Sequence, residues 1–316
     1  PALLLEPQRT NLLENSEYIL GGDWNQLGGA LSIAQNTTDT LSPEGKYNAG
    51  AITLSSTANR YFSSQGYNLG GLTAVSASVW LKTNGGELQG ALAFFNGTGG
   101  DAITITEEWQ RFEINKTASN STEYLGLDFR GSYSQSGIVY CYGWQFENNA
   151  SYATSYIPTY GSSVTRNRDL SLNGGVSSLI NDAEGTLFIE AATFENGADC
   201  RVGLSDNTIN NRVSIEWDAN ADTLKGFIGI GGNLQTTNYA QTNRNKIAIT
   251  YDSTDARMYV NGTKVDTDTS VPTLSGMNRI DFSNYLSGIP FEGNAYQMLV
   301  FKEKLTDAEA IALTTL

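Results

Sequence analysis

Between Asn245 and Gly262 the chain reads NKIAITYDSTDARMYVNG, and no other stretch constrains the fold as strongly. Apolar side chains alternate through Lys246–Tyr251 (Ile247, Ile249, Tyr251) and again through Arg257–Val260 (Met258, Val260). A period of two puts one face of each strand against a core and leaves the other in water. The polar residues between the two runs make a turn. Asn261-Gly262 closes the second run with the positive φ angles that a tight hairpin needs. A chain with this unit at its centre is expected to be an antiparallel β-protein.

The rest of the sequence extends the pattern. Short strand-like runs are read at Ala51–Leu54, Ala74–Lys82, Ala91–Phe95, Gln110–Ile114, Tyr124–Arg130 and Ile138–Phe146, separated by Gly and Asn turns. A second series follows at Thr186–Phe194, Arg212–Trp217, Thr223–Ile230, Arg279–Phe282 and Ala295–Phe301. Between the two series, SYATSYIPTYGSSVTRNRD has few core residues and two turn signals, Ile157-Pro158 and Tyr160-Gly161. With 316 residues, 33 glycines and only 16% charged side chains, the expectation is all-β: two antiparallel sandwiches over 1–169 and 170–316. One short helix ends the chain, started by Thr306 as N-cap with Glu309 completing a capping box.

Charge and composition exclude several kinds of function. Nineteen basic against 33 acidic side chains give a net charge of −14 with no basic run, a poor surface for nucleic acid or anionic membrane. No apolar run approaches the roughly 20 residues of a membrane-spanning helix. Histidine is absent, which removes Ser-His-Asp and Cys-His nucleophiles and His-ligated zinc. Cys141 and Cys200 fall in different modules, and two unrelated thiols is the simpler reading than a bridge between them.

Two longer wordings carry a resemblance. PALLLEPQRTNLLENSEY at the N-terminus and GWQFENNASYATSYIPTYGSSVTRNRD downstream resemble the carbohydrate-binding-module-like domain of bacteriophage tail-fibre, spike and other virion proteins. SVWLKTNGG and TEEWQRFEI look like core strands of cellulose- and xylan-binding jelly rolls. The Asn245–Gly262 hairpin is similar to that of laminin-G/concanavalin A-like lectin sandwiches, and EGNAYQMLVFKEKLTDAEAIAL to their closing strand and helix. The resemblances imply a jelly roll followed by a laminin-G-like sandwich. They imply a non-catalytic virion surface protein, outside the cell, that attaches to host cell-surface polysaccharide, contacts other virion proteins and forms a homo-oligomer. The alternatives are a purely structural docking component and a polysaccharide-degrading enzyme.

Candidate site residues follow from alternation. Val75, Ala77, Val79 and Leu81 face one way, and Trp80 with Ser76, Ser78 and Lys82 the other. Leu125, Leu127 and Phe129 leave Tyr124, Asp128 and Arg130 outside, and Phe112 and Ile114 leave Trp109, Arg111 and Glu113 outside. Indole and phenol rings among charged groups suit a sugar, because rings stack on pyranose C–H faces and charged forks take hydroxyls. This reading requires Trp80, Tyr124, Asp128 and Arg130 to be neighbours on one exposed face, with Trp109 or Arg111 at its edge. The competing account has Trp80 and Trp109 filling space under loops or another subunit.

Carboxylates and cations give less. Glu216 and Asp218 begin like the E-x-D-x-x-E strand of laminarinase-type hydrolases, but Ala221 stands where the third acid belongs. A solvated strand face is therefore expected there, since a glycosidase needs two flanking acids. Asp266 and Asp268 read as a polar loop. Jelly rolls of the family usually hold calcium near the first strand, which implies Asn15, Glu17 and Asp23 as ligands here. The family's partner acid is missing from Tyr140–Gln145.

Overall fold

The computed structural model describes residues 1–27, 31–55, 60–133, 135–175, 177–283 and 288–316. The chain is 46% strand and 5% helix, with antiparallel sheets throughout. It divides into two compact units, residues 8–167 and residues 1–7 with 168–316. The sequence reading placed the first seven residues in the first module. They belong with the second because Leu3–Leu5 pairs with Gly293–Ala295 at the edge of its larger sheet.

The unit of residues 8–167 is a sandwich of two five-stranded sheets. One runs in the order Gly99–Ile105, Leu88–Phe94, Leu125–Asp128, Tyr61–Ser64, Trp24–Leu27. The other runs Gln110–Thr117, Ala74–Thr83, Gly137–Asn148, Gly50–Leu54, Leu31–Ala34. Alternation decides which side chains meet between them. Val75, Ala77, Val79 and Leu81 from one sheet and Leu92, Phe94, Leu125 and Leu127 from the other are all buried. Trp24, Phe62 and Trp144 add an aromatic cluster, Trp24 lying flat on Phe62 at 4.7 Å between ring centres. Burial of this kind stabilises by about 25 cal/mol per Å² of apolar surface.

The other unit sandwiches a six-stranded and a five-stranded sheet. The six-stranded sheet runs Leu3–Leu5, Gly293–Phe301, Gly185–Thr193, Asn245–Tyr251, Ala256–Val260, Thr263–Asp268. Its partner runs Gly232–Thr236, Leu224–Ile228, Arg212–Trp217, Cys200–Ser205, Arg279–Asp281. The expected hairpin forms with Ile247 opposite Val260 and Ile249 opposite Met258, all four buried. Asn261 (φ 48°) and Gly262 (φ 80°) then turn the chain into a further strand, Thr263–Asp268, that the sequence reading took for a loop. Asp266 and Asp268 sit on that strand, and their carboxylates accept the backbone N–H groups of Gln235 and Asn233 on the edge of the facing sheet. They satisfy edge donors that would otherwise be open to pairing.

The helix Asp307–Thr314 begins at Thr306 with the expected reciprocal capping box to Glu309. It packs Ala310 onto Phe188, Ala248 and Tyr259, on the outer face of the six-stranded sheet. Asp307 in its first turn accepts from Arg257, Tyr259 and Lys264. Cys141 and Cys200 are buried, unpaired thiols, one in each unit. Burial pushes both up to about 12, so neither is a ready nucleophile.

Candidate functional site

The six residues expected to form one platform lie on opposite sheets of the first unit. Trp80 pairs with Arg111 and Tyr142 in the sheet built on Ala74–Thr83, and Trp109 immediately precedes the strand Gln110–Thr117. Tyr124, Asp128 and Arg130 belong to the strand Leu125–Asp128 of the other sheet and its flanks. Period-two alternation shows which side of its own strand a residue takes. It carries no information on which strands are neighbours.

The outer face around Trp80 is strapped over. Residues 150–161 return across it, burying Ser76, Ser78, Gln145 and Glu147. The Arg111 guanidinium donates to Ser78 Oγ (2.9 Å) and to the Thr154 carbonyl. Gln145 Nε2 donates to the Thr154 carbonyl (3.1 Å), and its Oε1 accepts from Ile157 N (2.6 Å). Glu147 accepts the Thr154 N–H at 3.0 Å. Trp80 is left half-buried, and Trp109 gives its indole N–H to the Leu41 carbonyl (2.8 Å). Trp80 and Trp109 fit the space-filling account, and Arg111 is taken up by the strap. The strap is the same YATSYIPT wording that carried the family resemblance. Asn11, from the N-terminal wording, stitches it down by donating to the carbonyls of Trp144 (3.0 Å) and Ile157 (2.9 Å).

Asp128 and Arg130 are brought together on the outer face of the opposite sheet, where they wall an open groove of about 500 Å³. Its floor is made of small residues, Ala91, Ala93, Gly100 and Ala102, on two adjacent strands. A Cβ on Gly100 would lie 2.6 Å from the Ala93 Cβ and 2.7 Å from the Leu92 carbonyl oxygen, so only glycine permits this close pairing. One wall is a stack. Tyr61 and Phe95 lie 5.1 Å apart, and the Arg130 guanidinium sits 4.7 Å above the Tyr61 ring and 5.6 Å from Phe95. Asp128 holds that guanidinium from the side: Arg130 Nε donates to Oδ1 (2.8 Å) and a terminal nitrogen to Oδ2 (2.7 Å). These bonds raise the Arg130 pKa further above its ordinary value. Tyr124 packs over Gly66 and is not among the groove residues.

Sequence reading missed Tyr61, Phe95 and Tyr133, which complete the groove. A usable signal was present in GALAFF and GGDAIT: four outward positions, Ala91, Ala93, Gly100 and Ala102, are small and adjacent, which leaves room for something to lie on the sheet beside Phe95. Chemically, the groove offers a flat aromatic–guanidinium surface beside fixed donors and acceptors. That combination recognises planar or ring-shaped polar molecules.

The expected cation ligands, Asn15, Glu17 and Asp23, are engaged with other side chains. Asn15 donates its side-chain amide to Asp23, and Asn48 donates to Glu17 Oε2 (3.3 Å). Glu17 Oε1 takes three phenol hydroxyls, from Tyr142 (3.3 Å), Tyr156 (3.1 Å) and Tyr160 (2.9 Å). Burial raises the Tyr156 phenol well above its ordinary range and the Glu17 charge adds to this, so it stays a donor. Among the described residues, no three Asp, Glu, Cys or His side chains gather to hold a metal.

Glu216 and Asp218 are buried rather than solvated, each locked in an ion pair, with Arg201 and Lys225 respectively. Arg201 also covers the Phe227 ring at 5.2 Å. The long basic side chains lie over the sheet and shut the carboxylates in, which alternation alone could not show.

The topology defines the class: an all-β protein of two antiparallel sandwiches. No family model matches the chain, and no curated protein sequence matches it. Among solved structures it is similar to the CBM40 module of the Ruminococcus gnavus IT-sialidase, with TM-score 0.38 and 17% identity over 46% of this chain and 94% of that one. It is also similar to Trypanosoma rangeli sialidase (TM-score 0.36, 9% identity, 87% and 52%) and to mouse laminin alpha1 domains LG4-5 (0.30, 11%, 74% and 84%). At these scores the likenesses assign no ligand to the groove.

Proposed function

We propose that the protein is a non-catalytic glycan-binding module, with the groove walled by Tyr61, Phe95, Asp128 and Arg130 as its contact surface. The observation that carries this reading is the groove itself. An aromatic–guanidinium stack stands over a floor of Gly and Ala, held on a rigid sheet whose other face is core. The floor lets a sugar ring approach the backbone, the stack offers a C–H-binding face, and the Asp128–Arg130 fork offers hydrogen bonds. A non-catalytic role is supported by Glu216 and Asp218, which are engaged with Arg201 and Lys225 rather than poised across a cleft. The resemblance of the terminal wordings adds the finer reading, attachment of a virion surface protein to host polysaccharide. Single-groove affinity of this kind is weak, and repeated copies in a homo-oligomer would supply firm attachment.

The test is retention in affinity electrophoresis across a panel of bacterial and plant polysaccharides, comparing the wild type with Ala102→Trp. Ala102 is an exposed floor residue, so the indole fills the groove and leaves the core untouched. Retention lost in the variant supports the groove. Equal retention by both proteins, or none by the wild type, refutes it.

A further inference from the structure

Resting on the glycan-binding reading just given, we infer that this groove takes neutral, polyhydroxylated sugar chains and rejects acidic ones. Asp128 and Arg130 are the two charged side chains that line it among the described residues, and each cancels the other. Two side-chain bonds hold the guanidinium against the carboxylate, and the Arg130 backbone N–H adds a third contact to Oδ1 at 3.0 Å. The pair is separated by one residue in sequence, so its geometry is local and recurs each time the strand forms. The guanidinium plane is further fixed by stacking on Tyr61 and Phe95.

A sugar carboxylate or sulfate on the open Arg130 donors would lie beside the Asp128 charge, and to take the guanidinium edge that Asp128 holds it would have to displace that carboxylate. Like charges at that separation disfavour the exchange. The chain's net charge of −14 adds repulsion toward a polyanion. Hydroxyl groups need no exchange. A guanidinium has five N–H donors and a carboxylate about four acceptor sites, so the Asp128–Arg130 fork leaves both kinds of position open. A diol, which donates and accepts at each oxygen, matches such a fork. Tyr61, Tyr133 and Asn96 supply further groups around the rim.

The experiment titrates the full chain with cellohexaose, xylohexaose and mannohexaose as neutral probes, and with hexagalacturonate and 3′-sialyllactose as acidic ones. Each titration is run at about 0.05 M and about 0.5 M ionic strength, which shortens the screening length roughly threefold. The expected result is binding of a neutral probe that changes less than about twofold with salt, and acidic binding at least about tenfold weaker. Asp128→Asn keeps the shape but uncovers the Arg130 charge. It should gain acidic-probe binding by about tenfold, and that gain should vanish at the higher ionic strength. Acidic probes bound by the wild type as tightly as neutral ones, and blocked by Ala102→Trp, would overturn the inference and leave the glycan-binding reading standing. So would an Asp128→Asn protein, folded by its thermal melt, that gains nothing. If that variant does not fold, the wild-type salt dependence decides alone. Failure of every probe to bind would refute the glycan-binding reading, and this inference with it.

Discussion

Replacing Tyr61 by alanine separates the groove from the core more cleanly than any other single change. Tyr61 faces outward, whereas Phe62 beside it is fully buried against Trp24. What Tyr61 holds is therefore countable. The ring pairs with Phe95 at 5.1 Å, a contact worth about 0.5–1.5 kcal/mol. It carries Arg130 at 4.7 Å, worth about 0.5–1 kcal/mol at a partly exposed site. The sum, about 1–2.5 kcal/mol, lowers the melting temperature of a unit this size by roughly 2–10 °C without unfolding it at 25 °C. Binding suffers differently. The Tyr61 stacking surface is lost and Arg130 keeps only Asp128 and the more distant Phe95 ring to orient it, so affinity for a retained polysaccharide should fall about 10- to 100-fold, or about 1.4–2.8 kcal/mol. Differential scanning calorimetry with affinity electrophoresis on the same preparation reads both quantities. A folded Tyr61→Ala protein that still binds with wild-type affinity would refute the placement of the site. A variant unfolded at 25 °C would refute the claim that Tyr61 lies outside the core.

Two further predictions concern the second unit. Bonds from Lys264, Tyr259 and Arg257 hold the Asp307 carboxyl well below its ordinary range. A depressed folded pKa contributes stability that is complete above the unfolded value near 4 and is lost as pH falls below it. Hydrogen exchange in the helix Asp307–Thr314 should therefore be equally protected at pH 7 and pH 5 and should loosen below about pH 4. An Asp307→Asn protein should begin looser and show a smaller acid step, the remainder coming from the Glu309 cap, and loosening of the wild type above pH 5 would count against the assignment. Glu216→Ala should cost about 3 kcal/mol, because it strands Arg201 over a buried sheet face. A change under about 1 kcal/mol in urea unfolding would show that the pair is dispensable.

Much of this protein was legible before any coordinates. Alternation named the buried set in Ala74–Thr83 and in the Asn245–Gly262 hairpin, and Thr306 with Glu309 marked the only α-helix among the described residues. These features are local: period, turn residues and caps depend on neighbours a few positions away. Alternation also put Asp128 and Arg130 outside, and that too held. Tertiary structure decided the rest. It set Trp80 and Arg111 on one sheet and Asp128 and Arg130 on the other, because strand order depends on pairing between segments far apart in sequence. It drew a strap over the outward face of the first sheet and left the second as a groove. It buried Glu216 under Arg201, and it moved Leu3–Leu5 into the unit whose other strands lie beyond residue 184. The sequence alone determined which way each side chain leaves its strand; what covers that side chain is settled only when distant segments pack, because cover comes from whichever chain returns over the sheet.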